Sequence, residues 1–182
     1  MLRLIVLYTA LSLCANAAAA ADLTALKAGD MKKLIVYDQP LGTPELPFRD
    51  ADGNEHRLAE FRGKVVLLNF WGVSCVPCRV EMPDLDALQA AKGGKDFEVL
   101  TLAVDTSSQP VIGRFFDKAG ITHLPRYTDI RLGLASAFGI MGQPSTVLID
   151  RSGHEVARLV GPADWNAPEA HAVIDALIAE AP

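Results

Sequence analysis

The sequence predicts an α/β domain with a central mixed sheet flanked by helices. Three observations carry this. Lys64–Trp71 (KVVLLNFW) and Phe97–Asp105 (FEVLTLAVD) are continuous β-branched, aliphatic and aromatic runs, the pattern of strands buried on both faces. A helix-period segment lies between them, which demands parallel strands joined by a right-handed crossover. Downstream, Ser145–Asp150 (STVLID) and His154–Gly161 (HEVARLVG) flank the turn residues Asp150–Gly153, which predicts an antiparallel hairpin.

The elements follow in order. The first 21 residues, MLRLIVLYTALSLCANAAAAA, carry Arg3, an apolar run and a small-residue end. They read as a secretory signal cut near Ala20 or Ala21. The rival reading is an uncleaved membrane anchor, since Leu4–Ala21 just reaches the roughly 18 residues a span needs. Thr9, Ser12, Asn16 and the weakly apolar alanines make it a poor span. Leu13, before Cys14, argues against a lipidation site. Both readings put the domain outside the cytoplasm, in the periplasm.

Residues 22–45, with Pro40 and Pro44, are expected to be a tether holding at most a short strand at Leu34–Tyr37. The folded domain is expected over 46–182. Its first feature is a hairpin turned at Asp52-Gly53 in FRDADGNEHRL. After the strand KVVLLNFW, a helix should run from the cysteines to about Ala91, with Met82, Leu85 and Leu88 as its inner stripe. Pro83 inside it marks a kink. After FEVLTLAVD come a helix over Pro110–Lys118 ended by Gly120 and a short helix over Arg131–Phe138. The strand pair follows, and a last helix over Trp165–Glu180 has Pro168 in its first turn. There are no repeats and no internal domain boundary.

Composition narrows function. Of 182 residues, 50% are apolar and 21% charged, which is globular and not disordered. A net charge of −5 supplies no basic field for nucleic acid. Without the leading segment, Cys75 and Cys78 are the only cysteines, set in WGVSCVPCRVEMP. As a structural staple the pair closes too small a loop to remove much chain entropy. Structural zinc usually takes four ligands, and His56, His123, His154 and His171 lie on scattered segments. Redox exchange is the leading reading, with no metal and no cofactor.

The stretches LAEFRGKVVLLNFWGVSCVPCRVEMPDLDAL, GQPSTVLIDRSG and VGPADW resemble the thioredoxin superfamily. Within it they are most similar to the TlpA/ResA group of thiol–disulfide proteins, TlpA first, over about Pro47–Ala179. The resemblance implies a thioredoxin-like fold with an extra N-terminal β-hairpin and a central helical insertion, and it implies a thiol:disulfide oxidoreductase. Cys75 should stand at a helix N-terminus, where unpaired N–H groups and the dipole lower a thiol pKa. It is then the nucleophile, and Cys78, one turn in and more buried, the resolving thiol. Pro77 suits the first turn.

Glu81 shares the helical face of Cys78. The resemblance gives it proton transfer to the resolving thiol, or control of its pKa; the bland alternative is a solvated first-turn acid. Asn69 stands where thioredoxin carries a buried Asp; an amide there removes one candidate base, which favours the role for Glu81 that the resemblance implies. Arg79 reads as a surface charge and Trp71 as core wall. Pro144 would be a cis-proline facing the cysteines, with Gln143 offering its backbone to a partner; the residues alone suggest an ordinary trans turn. Ser74, Val76, Pro77 and Gln143 would form the docking surface. Ser74 replaces a usual Trp, and Gln143 a usual Met- or Thr-like residue.

The implied activity is reduction of partner-protein disulfides, in oxidase copper-site assembly factors or apocytochrome c, with electrons from a membrane thiol donor. Three other functions compete. One is a general dithiol oxidase. Another is a Sco-like copper carrier, which uses Cys-x-x-x-Cys and a distant His. The third is a peroxiredoxin-like peroxidase, which needs Thr or Ser where Gly72 stands.

Overall fold

A computed structural model describes residues 22–129 and 131–180. The expected signal or anchor, with Cys14, lies outside the described residues. The strands are β1 Ile35–Gly42, β2 Phe48–Arg49, β3 Glu55–His56, β4 Val65–Trp71, β5 Phe97–Ala103, β6 Tyr127–Thr128, β7 Ser145–Ile149 and β8 His154–Val160. They form one sheet in the order β1-β8-β7-β4-β5-β6-β2-β3. β4, β5 and β6 are mutually parallel and every other pairing is antiparallel. The helices are α1 Val76–Lys92, α2 Gln109–Ala119, α3 Gly133–Ala137 and α4 Pro168–Ala179.

β4 is buried along its whole length, and its alternating side chains feed two cores. Val65, Leu67 and Trp71 join Met82, Leu85 and Leu88 of α1, Ile112 and Phe116 of α2 and Val173 of α4. Val66, Leu68 and Phe70 face the other way, to Phe48, Leu134 and Phe138. The same alternation turns Asn69 toward α1. The expected inner stripe of α1 is therefore correct, and Pro83 does lie inside that helix. Gly120 ends α2 in the left-handed conformation, with φ of 69°.

The segment expected as a tether is part of the fold, and that expectation is corrected. Two 3-10 turns, Leu23–Leu26 and Gly29–Lys33, lead into β1. Leu23, Met31 and Leu34 are 3%, 0% and 1% exposed and join the core that α4 closes. Prolines hid this. Pro40 stands on an edge strand, where no ladder donor is lost, and the register with β8 skips between Val36 and Leu41.

Other boundaries moved for local reasons. β6 was not expected; it is two residues long, between Pro125 and the turn at Asp129. α3 begins at Gly133, where Asp129 accepts the N–H groups of Gly133 and Ala135. The last helix starts at Pro168, because Trp165 is a fully buried plug ahead of it.

Candidate active site at the start of the first helix

β4 ends at Trp71, and five residues later α1 begins. Between them the chain must turn tightly. A Cβ on Gly72 would meet Gln143 Oε1 at 2.7 Å and Asp105 Oδ2 at 2.9 Å, so a larger residue there would displace the Gln143 amide and the Asp105 carboxylate. The Cys75 N–H returns to the Gly72 carbonyl at 3.1 Å. Cys75 is the N-cap of α1, and its Sγ accepts the Cys78 N–H at 3.3 Å. Pro77 follows in the first turn.

Cys75 and Cys78 are joined by a disulfide, S–S 2.06 Å. The two sulfurs differ in access: Cys78 is 0% exposed and Cys75 only partly buried. On the same helix Val76 is 60% and Val80 70% exposed, and Met141, two residues before Gln143, is 97% exposed. Ser74 and Pro77 are exposed as well. Ser74 is held by Asp105, whose Oδ2 accepts its N–H at 3.1 Å and its hydroxyl at 3.3 Å. Burial pushes the Asp105 carboxyl up, but the N–H groups of Ser74 and Ser107 outweigh this and hold it below the usual range.

Glu81 is not the solvated acid of the bland alternative. It is 2% exposed. Its Oε1 accepts from Asn69 Nδ2 at 2.9 Å and its Oε2 from the Ala163 N–H at 3.1 Å. Asn69 also donates to Thr146 Oγ1, its cross-strand neighbour on β7. Burial pushes the Glu81 carboxyl up to about 7. The donors at Asn69 and Ala163 restrain that rise, and the charge of Asp84 adds to it. The Trp165 indole also favours the charged form, although its Nε1 makes no formal hydrogen bond. Arg79 is exposed, and Trp71 is core wall against Phe115 and Phe116.

The Gln143-Pro144 peptide is cis. Pro144 is buried and Gln143 exposed, with the Gln143 amide against Gly72. Beside it Val104, Leu132, Ile140 and Met141 line a groove of about 150 Å³. All eight candidate residues thus belong to three neighbouring segments: the β4–α1 turn, the first turns of α1, and the loop into β7. Sequence reasoning missed Asp105, Met141, Ala163 and Trp165. Asp105 had a signal, since it follows the C-terminal end of a parallel strand, where α/β sites gather. Ala163 had none, because it acts through a backbone N–H.

A family model for Redoxin matches residues 21–174. The chain belongs to the Redoxin family. Among relatives of this Redoxin member, the thiol-disulfide oxidoreductase ResA of Geobacillus thermodenitrificans is 36% identical over 110 residues, 60% of this chain and 62% of that protein. ResA of Geobacillus kaustophilus is 35% identical over 117 residues, 64% and 66% of the two chains. The match therefore spans just under two thirds of these relatives' own length.

Solved structures agree on the architecture. A thioredoxin-family thiol:disulfide interchange protein from Chlorobium tepidum superposes with TM-score 0.61 at 26% identity, over 78% of this chain and 99% of that one. The exposed lipoprotein thioredoxin of Streptococcus pneumoniae gives 0.61 at 25% identity, over 72% and 99%. This Redoxin chain therefore has a thioredoxin-like fold of the TlpA/ResA kind.

Proposed function

We propose that this chain is a thiol:disulfide oxidoreductase that works outside the cytoplasm and reduces disulfides in partner proteins. The observation that carries the reading is the disulfide of unequal access, capping α1 one turn ahead of the buried Glu81. The names of the ResA relatives and of the Chlorobium protein support the activity. The pneumococcal protein, an exposed lipoprotein, supports the location; an N-terminal signal delivering the domain to the periplasm agrees with it.

Catalysis starts from the reduced pair. The Cys75 thiolate, favoured by the α1 N-terminus, attacks one sulfur of the target disulfide. That bond breaks, its other sulfur leaves as a thiolate and takes a proton, and a Cys75–target disulfide forms. Glu81 takes the proton of the Cys78 thiol. Cys78 then attacks Cys75 Sγ, the mixed disulfide breaks, and the target leaves with its second thiolate. Two electrons have passed to the target, and the Cys75–Cys78 bond is restored. A membrane thiol donor reduces it for the next cycle. Ser74, Val76, Pro77 and the Gln143-Pro144 segment receive the target chain. The targets we favour are copper-site assembly factors of cytochrome oxidase or apocytochrome c.

Trapping tests this. Cys78→Ser keeps the nucleophile and removes the resolving thiol, so mixed disulfides should accumulate in the native compartment and be released by reductant. Cys75→Ser should give none. The trapped proteins distinguish oxidase copper-site factors from apocytochrome c. Many unrelated adducts would instead indicate a general exchanger, and copper bound by both cysteines with no adducts would sink the reductase reading.

A further inference from the structure

One peptide group, joining Pro162 to Ala163, is held at both ends. Its N–H donates to Glu81 Oε2 at 3.1 Å. Its carbonyl accepts from Lys33 Nζ. The next N–H, that of Asp164, donates to Asp30 Oδ2 at 3.0 Å. Asp30 Oδ1 in turn lies 2.8 Å from the Lys33 ammonium. Lys33 and Asp30 both stand on the 3-10 turn Gly29–Lys33, anchored to the core by the fully buried Met31 between them. A surface cation therefore reaches an interior carboxylate through a single amide.

The chemistry of such a relay has a sign. A cation on a peptide carbonyl draws electron density from the N–H of the same group and strengthens its donation. A stronger donor to a carboxylate favours the ionised form.

We propose that Lys33 and Asp30 are positioning residues for Glu81: they fix the Pro162–Ala163 amide against it and, through that amide, set the pH at which it releases its proton. The inference rests on the reading of Glu81 as proton carrier for the dithiol. The groups facing Glu81 are Asn69 of β4, Ala163 and Trp165 of the loop before α4, and Asp84 of its own helix, whose charge opposes ionisation. Asp84 feels the charge of Asp164 in turn. Thr146 of β7 lies behind Asn69. Cys75 and Cys78, a turn ahead, carry no charge while bonded.

Carboxyl NMR of the oxidised protein reads the Glu81 titration directly, and the Ala163 amide shift follows it from the donor side. Lys33→Met should raise the Glu81 midpoint by about half a pH unit and weaken the Ala163 hydrogen-bond shift. Lys33→Arg keeps a cationic donor and should stay near the parent. Asp30→Asn keeps an acceptor for the Asp164 N–H but removes the anion that shares the Lys33 ammonium with the carbonyl, so it should lower the midpoint; Lys33→Gln gives the same reading if Lys33→Met does not fold. Lys95→Met, which removes another exposed lysine (91%), controls for net charge. An unmoved midpoint, an equal shift in Lys95→Met, or a Lys33→Arg that behaves like Lys33→Met would each overturn the inference. Cys75 alkylation against pH in the reduced protein is measured alongside. If the carboxyl moves and the thiol profile does not, the positioning stands and the assignment of Glu81 to the dithiol falls.

Discussion

Glu81 is an acid enclosed by donors and apolar walls, and its ionisation works against folding. Burial raises its pKa from the ordinary 4.5 to about 7. Between those two values the folded chain keeps a proton that the unfolded chain releases. Its contribution to stability is complete below about pH 4.5 and is lost as pH climbs through 7. The loss is on the order of 3 kcal/mol at most. Glu81→Gln has no such titration. In urea unfolding of the oxidised protein, its advantage over the parent should therefore grow from pH 5 to pH 8. Parallel stability curves across that range would contradict the burial argument. Little of this is legible in the sequence. The i+3 spacing from Cys78 gives the helical face but not what closes over it, and the Ala163 N–H arrives from 82 residues downstream.

At the scale of elements, two segments make different claims on stability. The N-terminal turns were hidden by Pro40 and Pro44, yet they cover the core with Met31. Met31→Ala should cost about 2–5 kcal/mol in denaturant unfolding. A change under about 0.5 kcal/mol, typical of a surface position, would restore the tether reading.

The β2–β3 hairpin depends on an imidazole. His56 Nδ1 lies 2.8 Å from Glu60 Oε2 and its Nε2 3.2 Å from Asp50 Oδ2. Asp50 also caps the turn through the N–H groups of Asp52 and Asn54. Glu60 first, then Asp50, raises the His56 pKa. This support is full below the ordinary value of 6.5 and is lost as pH rises through the raised one. Amide exchange at Asn54 and Arg57, corrected for intrinsic rates, should speed up over that window in the parent. In His56→Gln it should be fast throughout. Identical profiles would remove the imidazole from this role. The turn itself was readable in Asp52-Gly53, because Gly53 adopts φ of 89°, where glycine is favoured.

In the whole molecule, legibility follows how far each signal travels along the chain. β4 and β5 are readable because burial on both faces writes itself as an unbroken apolar run. The Cys75–Cys78 pair is readable from its place at a strand–helix seam. The cis bond before Pro144 needed the family likeness, and β6, with two residues, leaves too short a pattern to see. The remaining feature is the sheet's margins. At one, β1 carries Pro40 and loses register between Val36 and Leu41; at the other, β3 is two residues long. Neither margin presents a continuous ladder that a passing extended chain could join. In the proposed role this protein meets incompletely folded, cysteine-bearing chains. Its flanks are then poor templates for them, and it resists becoming the seed of an aggregate among its own clients. Contact is left to the end of the sheet where one sulfur is open.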